Sequence, residues 1–443
     1  MQPQAVGHSD EKAAVSANPT LGAATRVWAR IGFLSFGGPA AQIALMHREI
    51  VEERAWLREQ TFLTALSFCM LLPGPEAMQL ATYTGWRLHG TIGGLIAGLL
   101  FVLPGAVVIL ALSALYVNFG ELPLAQALFL GVKAAVLVIV IEALLRISRR
   151  ALKVAQHWWI AAMAFLALFA FDAPYPLVIL LAAVAGLTFK ADAATEIEFT
   201  PHSSVSFGST LLTVLIWLVI WWGPLLMLEI LLPAHILGEI GRFFSVLATV
   251  TFGGAYAVLA YMAQEAVSGY GWLSAPEMAD ALGLAETTPG PLILVTEFVG
   301  FLAASRDSIG SPSILLGAAG AAVTLWATFI PCFLWVFAGA PYIDRIHAMP
   351  RLKNALDAIT AAVVGVILNL SIWFALQVAF GSVSRHTVGW FQPWIPDVST
   401  LDWRVLLLTL VAGILLLRLH KGVPVTLAIS AALGLLLGFV VSG

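Results

Sequence analysis

Two short clusters hold the residues whose types and spacing could do chemistry. Phe36-Gly37-Gly38-Pro39 is followed by Gln42, and Leu72-Pro73-Gly74-Pro75 by Glu76, Gln79 and Tyr83, each within an otherwise apolar stretch. Glycine lacks a side chain and proline lacks an N–H, so regular helical hydrogen bonding breaks at such points. A helix that restarts after the break presents unpaired N–H groups and the positive end of its dipole, which favours an anion. Glu76, Gln79 and Tyr83 follow at i, i+3 and i+7 and share one face. Glu76 reads either as a first-turn carboxylate held by the dipole or as a proton carrier that lets a dianion and a proton bind together.

The clusters recur. A shift of 216 residues places Phe36-Gly37-Gly38 on Phe252-Gly253-Gly254, Trp56-Leu57 on Trp272-Leu273, and Pro73-Gly74-Pro75 on Pro289-Gly290-Pro291. Glu49 falls on Glu265 without a gap, and further along the offset grows to 227, with Pro104 on Pro331 and an insertion around 305 to 312. Self-similarity at a fixed offset marks a duplicated unit. A lone triplet reads as a kink that lets helices pack closely. Both clusters recurring in both halves favours a substrate site, because broken backbone at membrane depth survives only when buried in protein or lining a cavity. The predicted substrate-binding set is therefore Gly37, Gly38, Pro39, Gln42, Pro73, Gly74, Pro75, Glu76 and Gln79, with Gly253, Gly254, Pro289, Gly290 and Pro291. The partners of Glu76, Gln79 and Tyr83 are Leu292, Val295 and Val299, so the first half supplies the polar side chains.

Cations within apolar segments are the other candidates, since a Lys or Arg at a helix centre costs about 2.5 to 3.5 kcal/mol on insertion scales. Lys133 lies inside the apolar run 125 to 145, and Arg30 shares a helix face with Arg26 leading toward Gly37. Both join the predicted anion contacts, with snorkelling or an interhelical ion pair as the competing reading. Glu286 and Glu297 flank the second Pro-Gly-Pro as partners for such a cation or as functional groups. Cys69 and Cys332 sit in apolar segments and read as small buried hydrophobes. Phosphate-loop, zinc-protease and nucleophile-elbow motifs are missing, so the expectation is no enzyme, no catalytic residue, no metal, no cofactor and no nucleic-acid partner.

These residues must be positioned by helices in lipid. Of 443 residues, 60% are hydrophobic and 11% charged, with a mean hydropathy of +0.93. No ordinary soluble core holds that much apolar surface. The runs 91 to 117, 125 to 145, 210 to 232, 312 to 339, 355 to 380, 403 to 417 and 423 to 441 mostly approach or exceed what a hydrocarbon core of about 30 Å requires. The fold expected is an all-α polytopic membrane protein of two homologous halves. The expected divisions are a polar tail 1–20, a first half 21–190, a linker 191–235 with one transmembrane helix, and a second half 236–443. Short cytoplasmic loops collect Lys and Arg. The first half has them at 48 to 58 and 146 to 153, whereas the second has them at Arg345, Arg351 and Lys353, in the opposite places. Reversed bias predicts inverted topology, common in secondary transporters. Crossing parity then requires the Gly-Pro segments to be broken or re-entrant helices, with the N-terminus cytoplasmic, the C-terminus periplasmic and no cleavable signal.

The sequence resembles the chromate ion transporters in their long, two-domain form. The resemblance rests on Phe36-Gly37-Gly38-Pro39 with Gln42, Trp56-Leu57, Leu72-Pro73-Gly74-Pro75 with Gln79 and Gly85, and Phe101 through Pro104-Gly105. It continues in Phe252-Gly253-Gly254, Trp272-Leu273 and Thr288-Pro289-Gly290-Pro291, covering nearly the whole chain. It implies secondary transport at the inner membrane, namely chromate efflux giving chromate resistance, coupled to membrane potential or protons. Sulfate is the competing tetrahedral dianion, and a sulfate or other small-anion importer or exchanger is the alternative. Membrane lipid and a second copy of the chain, as a homodimer, are the other partners expected.

Overall fold

Side chains that cannot compete for backbone hydrogen bonds, in a medium without water, leave the chain to satisfy itself locally, which means helices. The computed structural model describes residues 19–189, 207–232, 236–252, 254–308, 311–343, 349–386 and 392–442. Most of the polar tail, the polar part of the linker, Gly253 and Arg345 lie outside these. The first half runs α1 (Leu21–Leu34), α2 (Gly38–His47), α3 (Glu59–Cys69), α4 (Glu76–Phe119), α5 (Pro123–Ala151), α6 (Ala155–Phe171) and α7 (Tyr175–Leu187). After α8 (Phe207–Leu231) come α9 (Ile236–Val250), α10 (Ala255–Gln264), α11 (Ala275–Thr287), α12 (Val295–Arg306), α13 (Ile314–Gly339), α14 (Pro350–Ala379), α15 (Trp403–Gly413) and α16 (Val423–Ser442). Among the described residues, five stretches are long and apolar enough to cross a membrane: Glu76–Phe119, Pro123–Ala151, Gly208–Leu231, Ile314–Tyr342 and Pro350–Ala379. The chain is a multi-pass, helical membrane protein.

One departure from the all-helical expectation lies in the loop after α14. Two three-residue strands, β1 (Val383–Arg385) and β2 (Trp394–Pro396), pair antiparallel. Arg385 anchors them, bonded to Asp172 at 2.9 Å where α6 ends and stacked 5.0 Å over the Trp394 ring.

The two halves repeat down to individual hydrogen bonds. Helix α2 ends in a π-helical turn at Arg48–Glu52 and α10 in another at Glu265–Gly269. Trp56 N–H then donates to Ile50 O (2.9 Å), and Trp272 N–H to Ala266 O (2.8 Å). Both turns need a left-handed residue, Ala55 at φ 49° and Gly271 at φ 66°. The insertion between the halves falls where α4 kinks at His89 and Gly90. There the second half separates the same two pieces into α12 and α13.

Packing crosses between the halves. The long helix of the first half, α5, lies against α15 and α16 of the second, while α14 lies against α6 and α7 of the first. Small residues permit it: a Cβ on Gly131 would meet Ser430 O at 1.9 Å, and one on Gly365 would meet Ala161 O at 2.2 Å. Close backbone approach of this kind is how helices associate where lipid removes the hydrophobic drive.

Candidate functional site

The Gly-Pro breaks interlock. Helix α1 stops at Ser35, whose hydroxyl donates back to Ile31 O at 2.6 Å. Gly37 and Gly38, at φ 87° and 77°, turn the chain so that α2 can start. Ser35 O is left free of its own helix and accepts the Gly290 N–H of the second Pro-Gly-Pro at 2.8 Å. The mirror contact exists as well. Thr251 O, at the end of α9, accepts the Gly74 N–H of the first Pro-Gly-Pro at 2.9 Å. Positions 35 and 251 are equivalent, as are 74 and 290, so each half's first break binds the other half's second break. Reciprocal contacts of this sort are what a two-fold relation between copies produces.

Each junction has one amide side chain, and both come from the first half. Gln42, 1% exposed, donates from Nε2 to Gly290 O (2.6 Å) and Ser35 O (3.3 Å). Gln79, 0% exposed, donates from Nε2 to Pro73 O at 2.6 Å. The Oε1 atoms of both amides are buried without a hydrogen-bond partner. The equivalents of these residues are Val258 and Val295, which can make no such bond. The asymmetry read from sequence therefore extends to the backbone the glutamines hold. Pro39 lies in the first turn of α2, and Pro75 caps α4, whose first turn carries half-buried Glu76.

The junctions leave no room. Gly74, at φ 117°, would direct a Cβ to 2.8 Å from Gln79 Nε2 and 2.9 Å from Cys332 Sγ. Gly105 of α4 would direct one to 2.2 Å from Pro289 O. Gly105 and Cys332 are themselves equivalent positions, one residue beyond Pro104 and Pro331.

The predicted cations lie in ion pairs. Arg30 Nε stands 3.6 Å from Glu49 Oε1, and Arg54 Nη1 stands 2.7 Å from Glu49 Oε2, with the Glu49 side chain 0% exposed. Lys133 Nζ is 3.0 Å from Asp280 Oδ1 on α11, and Tyr116 of α4 donates to Asp280 Oδ2 at 2.8 Å. Of the two glutamates flanking the second Pro-Gly-Pro, Glu286 accepts from the Tyr256 hydroxyl at 2.8 Å. Glu297 is 1% exposed, and its Oε2 has no hydrogen-bond partner. Among the described residues no cluster of His, Cys, Asp or Glu has metal-binding geometry.

The structure thus brings Ser35 and Gln42 to Gly290, and Thr251 and Gln79 to the Gly74 break, while Gly37, Gly38 and Gly254 supply positive-φ turns beside them. It engages Arg30 and Lys133 elsewhere. Sequence reasoning missed Ser35 and Thr251, although both are hydroxyl residues at one offset immediately before Phe-Gly-Gly. It also missed Asp280 and Tyr116, which carry no signal in the sequence.

A bundle of long apolar helices with paired internal breaks, duplicated within one chain, defines a membrane protein of the kind that moves solutes. The chain belongs to the chromate transporter family, whose profile matches residues 23–187 and 238–437. It is 30% identical over 407 residues to the chromate transport protein of Cupriavidus metallidurans, covering 92% of this chain and 90% of that one. It is 33% identical over 373 residues to the chromate transport protein of Pseudomonas aeruginosa, covering 81% and 82%. The probable chromate transport protein of Synechococcus elongatus is 30% identical over 346 residues, covering 77% and 81%. No solved structure matches the chain.

Proposed function

We propose that this chain exports a small oxyanion across the inner membrane as a secondary transporter, chromate first, with the crossed Gly-Pro junctions as its anion cradle. The observation that carries the reading is the match, over both halves, to relatives named chromate transport proteins. The junctions support it physically. At each one a helix restarts after the break and the backbone groups freed there pair across the halves, so movement of one half against the other would offer those N–H groups to an anion at membrane depth. The two halves stand in inverted topology, with α2 and α3, and α10 and α11, as broken or re-entrant segments. Alternating access is then a rocking of one half against the other about the crossed junctions.

Energetics favour export. A dianion leaving a cell that is negative inside gains about 2.3 kcal/mol per charge per 100 mV, about 4.6 kcal/mol per ion, with no coupling needed. Import of sulfate or another anion, the alternative, requires cations to overcome the same energy. Glu76, in the first turn of α4, is the proton carrier in that case. Everted membrane vesicles decide the matter: labelled chromate accumulates with a potential positive inside and is inhibited by excess sulfate. No accumulation under any voltage or pH gradient would sink the exporter.

A further inference from the structure

A cavity of about 1010 Å³ opens between the halves, lined by the end of α4, the start of α5, α11, the end of α12, α15 and α16. Its charges are almost all spoken for. Arg306 is bound to Glu277, and Arg404 to Asp402 at 2.6 Å. Lys133 is different. Its ammonium has three N–H donors, and among the described residues its one ion-pair partner is Asp280, 3.0 Å away. The two stand at ion-pair distance with Asp280 buried, so Lys133 has donors left for a second acceptor in the cavity. Asp280 meanwhile keeps a second partner in the Tyr116 hydroxyl.

The triad is not part of the repeat. At the equivalent places of the other half, Lys133, Asp280 and Tyr116 are replaced by Thr360, Thr64 and Ile343. Burying charges is costly, and a pair retained in one of two equivalent places is a specialised feature rather than a packing requirement. The position also fits a route. Tyr116 lies three turns of α4, roughly 16 Å, from Gly105, which abuts Pro289 at the second break. Helix α12 covers the same distance from the other side, with Phe298 edge-on to Tyr116 at 5.1 Å and Arg306 at the cavity.

We propose that this cavity is a vestibular oxyanion station, in which Lys133 is the anion contact and Asp280 a tethered carboxylate that occupies it until a dianion displaces it. On displacement Asp280 keeps the Tyr116 hydrogen bond, which offsets part of the cost of separating the pair. Glu121 lines the same cavity and adds repulsion. It keeps occupancy weak enough for the anion to move on, as conduction demands.

The inference rests on the oxyanion reading, and one set of measurements separates the two. The full chain, purified and reconstituted into proteoliposomes, is assayed for chromate flux and its half-saturation, with sulfate as competitor. Lys133→Gln raises half-saturation roughly tenfold to a hundredfold, the worth of one charge-assisted hydrogen bond, with a smaller change in maximal rate. Asp280→Asn lowers it severalfold, because the internal competitor is gone. Tyr116→Phe raises it, because Asp280 then clings to Lys133, and this variant keeps the charge pair should Lys133→Gln fail to fold. Lys133→Gln/Asp280→Asn behaves like Lys133→Gln. A double variant restored to wild-type flux and half-saturation marks a structural ion pair and overturns the proposal, as does Lys133→Gln with unchanged half-saturation. A wild-type protein that moves neither chromate nor sulfate removes the parent reading, and the station with it.

Discussion

The substitution Gly105→Ala isolates the crossed junction from every other feature of the chain. Gly105 is an ordinary helical position of α4, so alanine there gains about 1 kcal/mol of helix propensity. Against this, the new Cβ would stand 2.2 Å from Pro289 O, and the segment bearing Gly290 must withdraw by about 1 Å to reach ordinary contact. Overpacking of that kind costs roughly 1 to 3 kcal/mol. The Gly290 N–H to Ser35 O bond, at 2.8 Å, and the Gln42 bond to Gly290 O, at 2.6 Å, both lie in the segment that must move. Leaving a buried group of this type unpaired adds roughly 1 to 3 kcal/mol. The clash outweighs the propensity gain, for a net loss of about 1 to 5 kcal/mol. The assay is chromate flux in everted vesicles, normalised to inserted protein, with thermal stability measured in detergent. The expected result is a lower melting temperature and flux reduced by about tenfold or more, since a cradle displaced by about 1 Å loses its alignment. Gly223→Ala in α8 is the control, because nothing lies within 4 Å of a Cβ there. If Gly105→Ala matches wild type in both flux and melting temperature, the junction is neither tight nor functional and the reasoning fails.

Gln42→Leu leaves Gly290 O without its shortest donor and Gln79→Leu does the same to Pro73 O, so each loses roughly 1 to 3 kcal/mol of stability. Denaturation of the detergent-solubilised protein would show them, and their flux should fall further than their stability explains. Arg54→Ala strips buried Glu49 of its closer partner, whereas Arg30, with a side chain 55% exposed, contributes little. The expected melting shift is large for the first and about nil for the second; equal shifts would contradict the assignment of Glu49's partner. The proposed inverted topology puts the C-terminus outside, so a C-terminal alkaline phosphatase fusion should be active and a cytoplasm-dependent fluorescent fusion dark.

The duplication was legible because glycine and proline are the residues whose backbone roles no other residue can take over. Wherever the unit needs a left-handed turn or a missing N–H, the letters recur at one offset, and the structure repeats its turns and hydrogen bonds at those letters. The long spans were legible too, because lipid imposes a length and a polarity that composition records directly. The hairpin after α14 was not, since three-residue strands leave no periodicity and depend on Arg385 reaching Asp172 from far along the chain.

The residues proposed for the anion cradle are thus legible in the sequence alone, together with the asymmetry that gives the glutamines to the first half. Which break meets which was decided only by tertiary structure. A carbonyl freed at the end of one helix must find a donor, and nothing local says that Ser35 will find Gly290 rather than Gly74. The same holds for Lys133. A cation in an apolar helix must have a partner, but Asp280 sits in the other half, and only packing of α5 against α11 brings them within 3.0 Å.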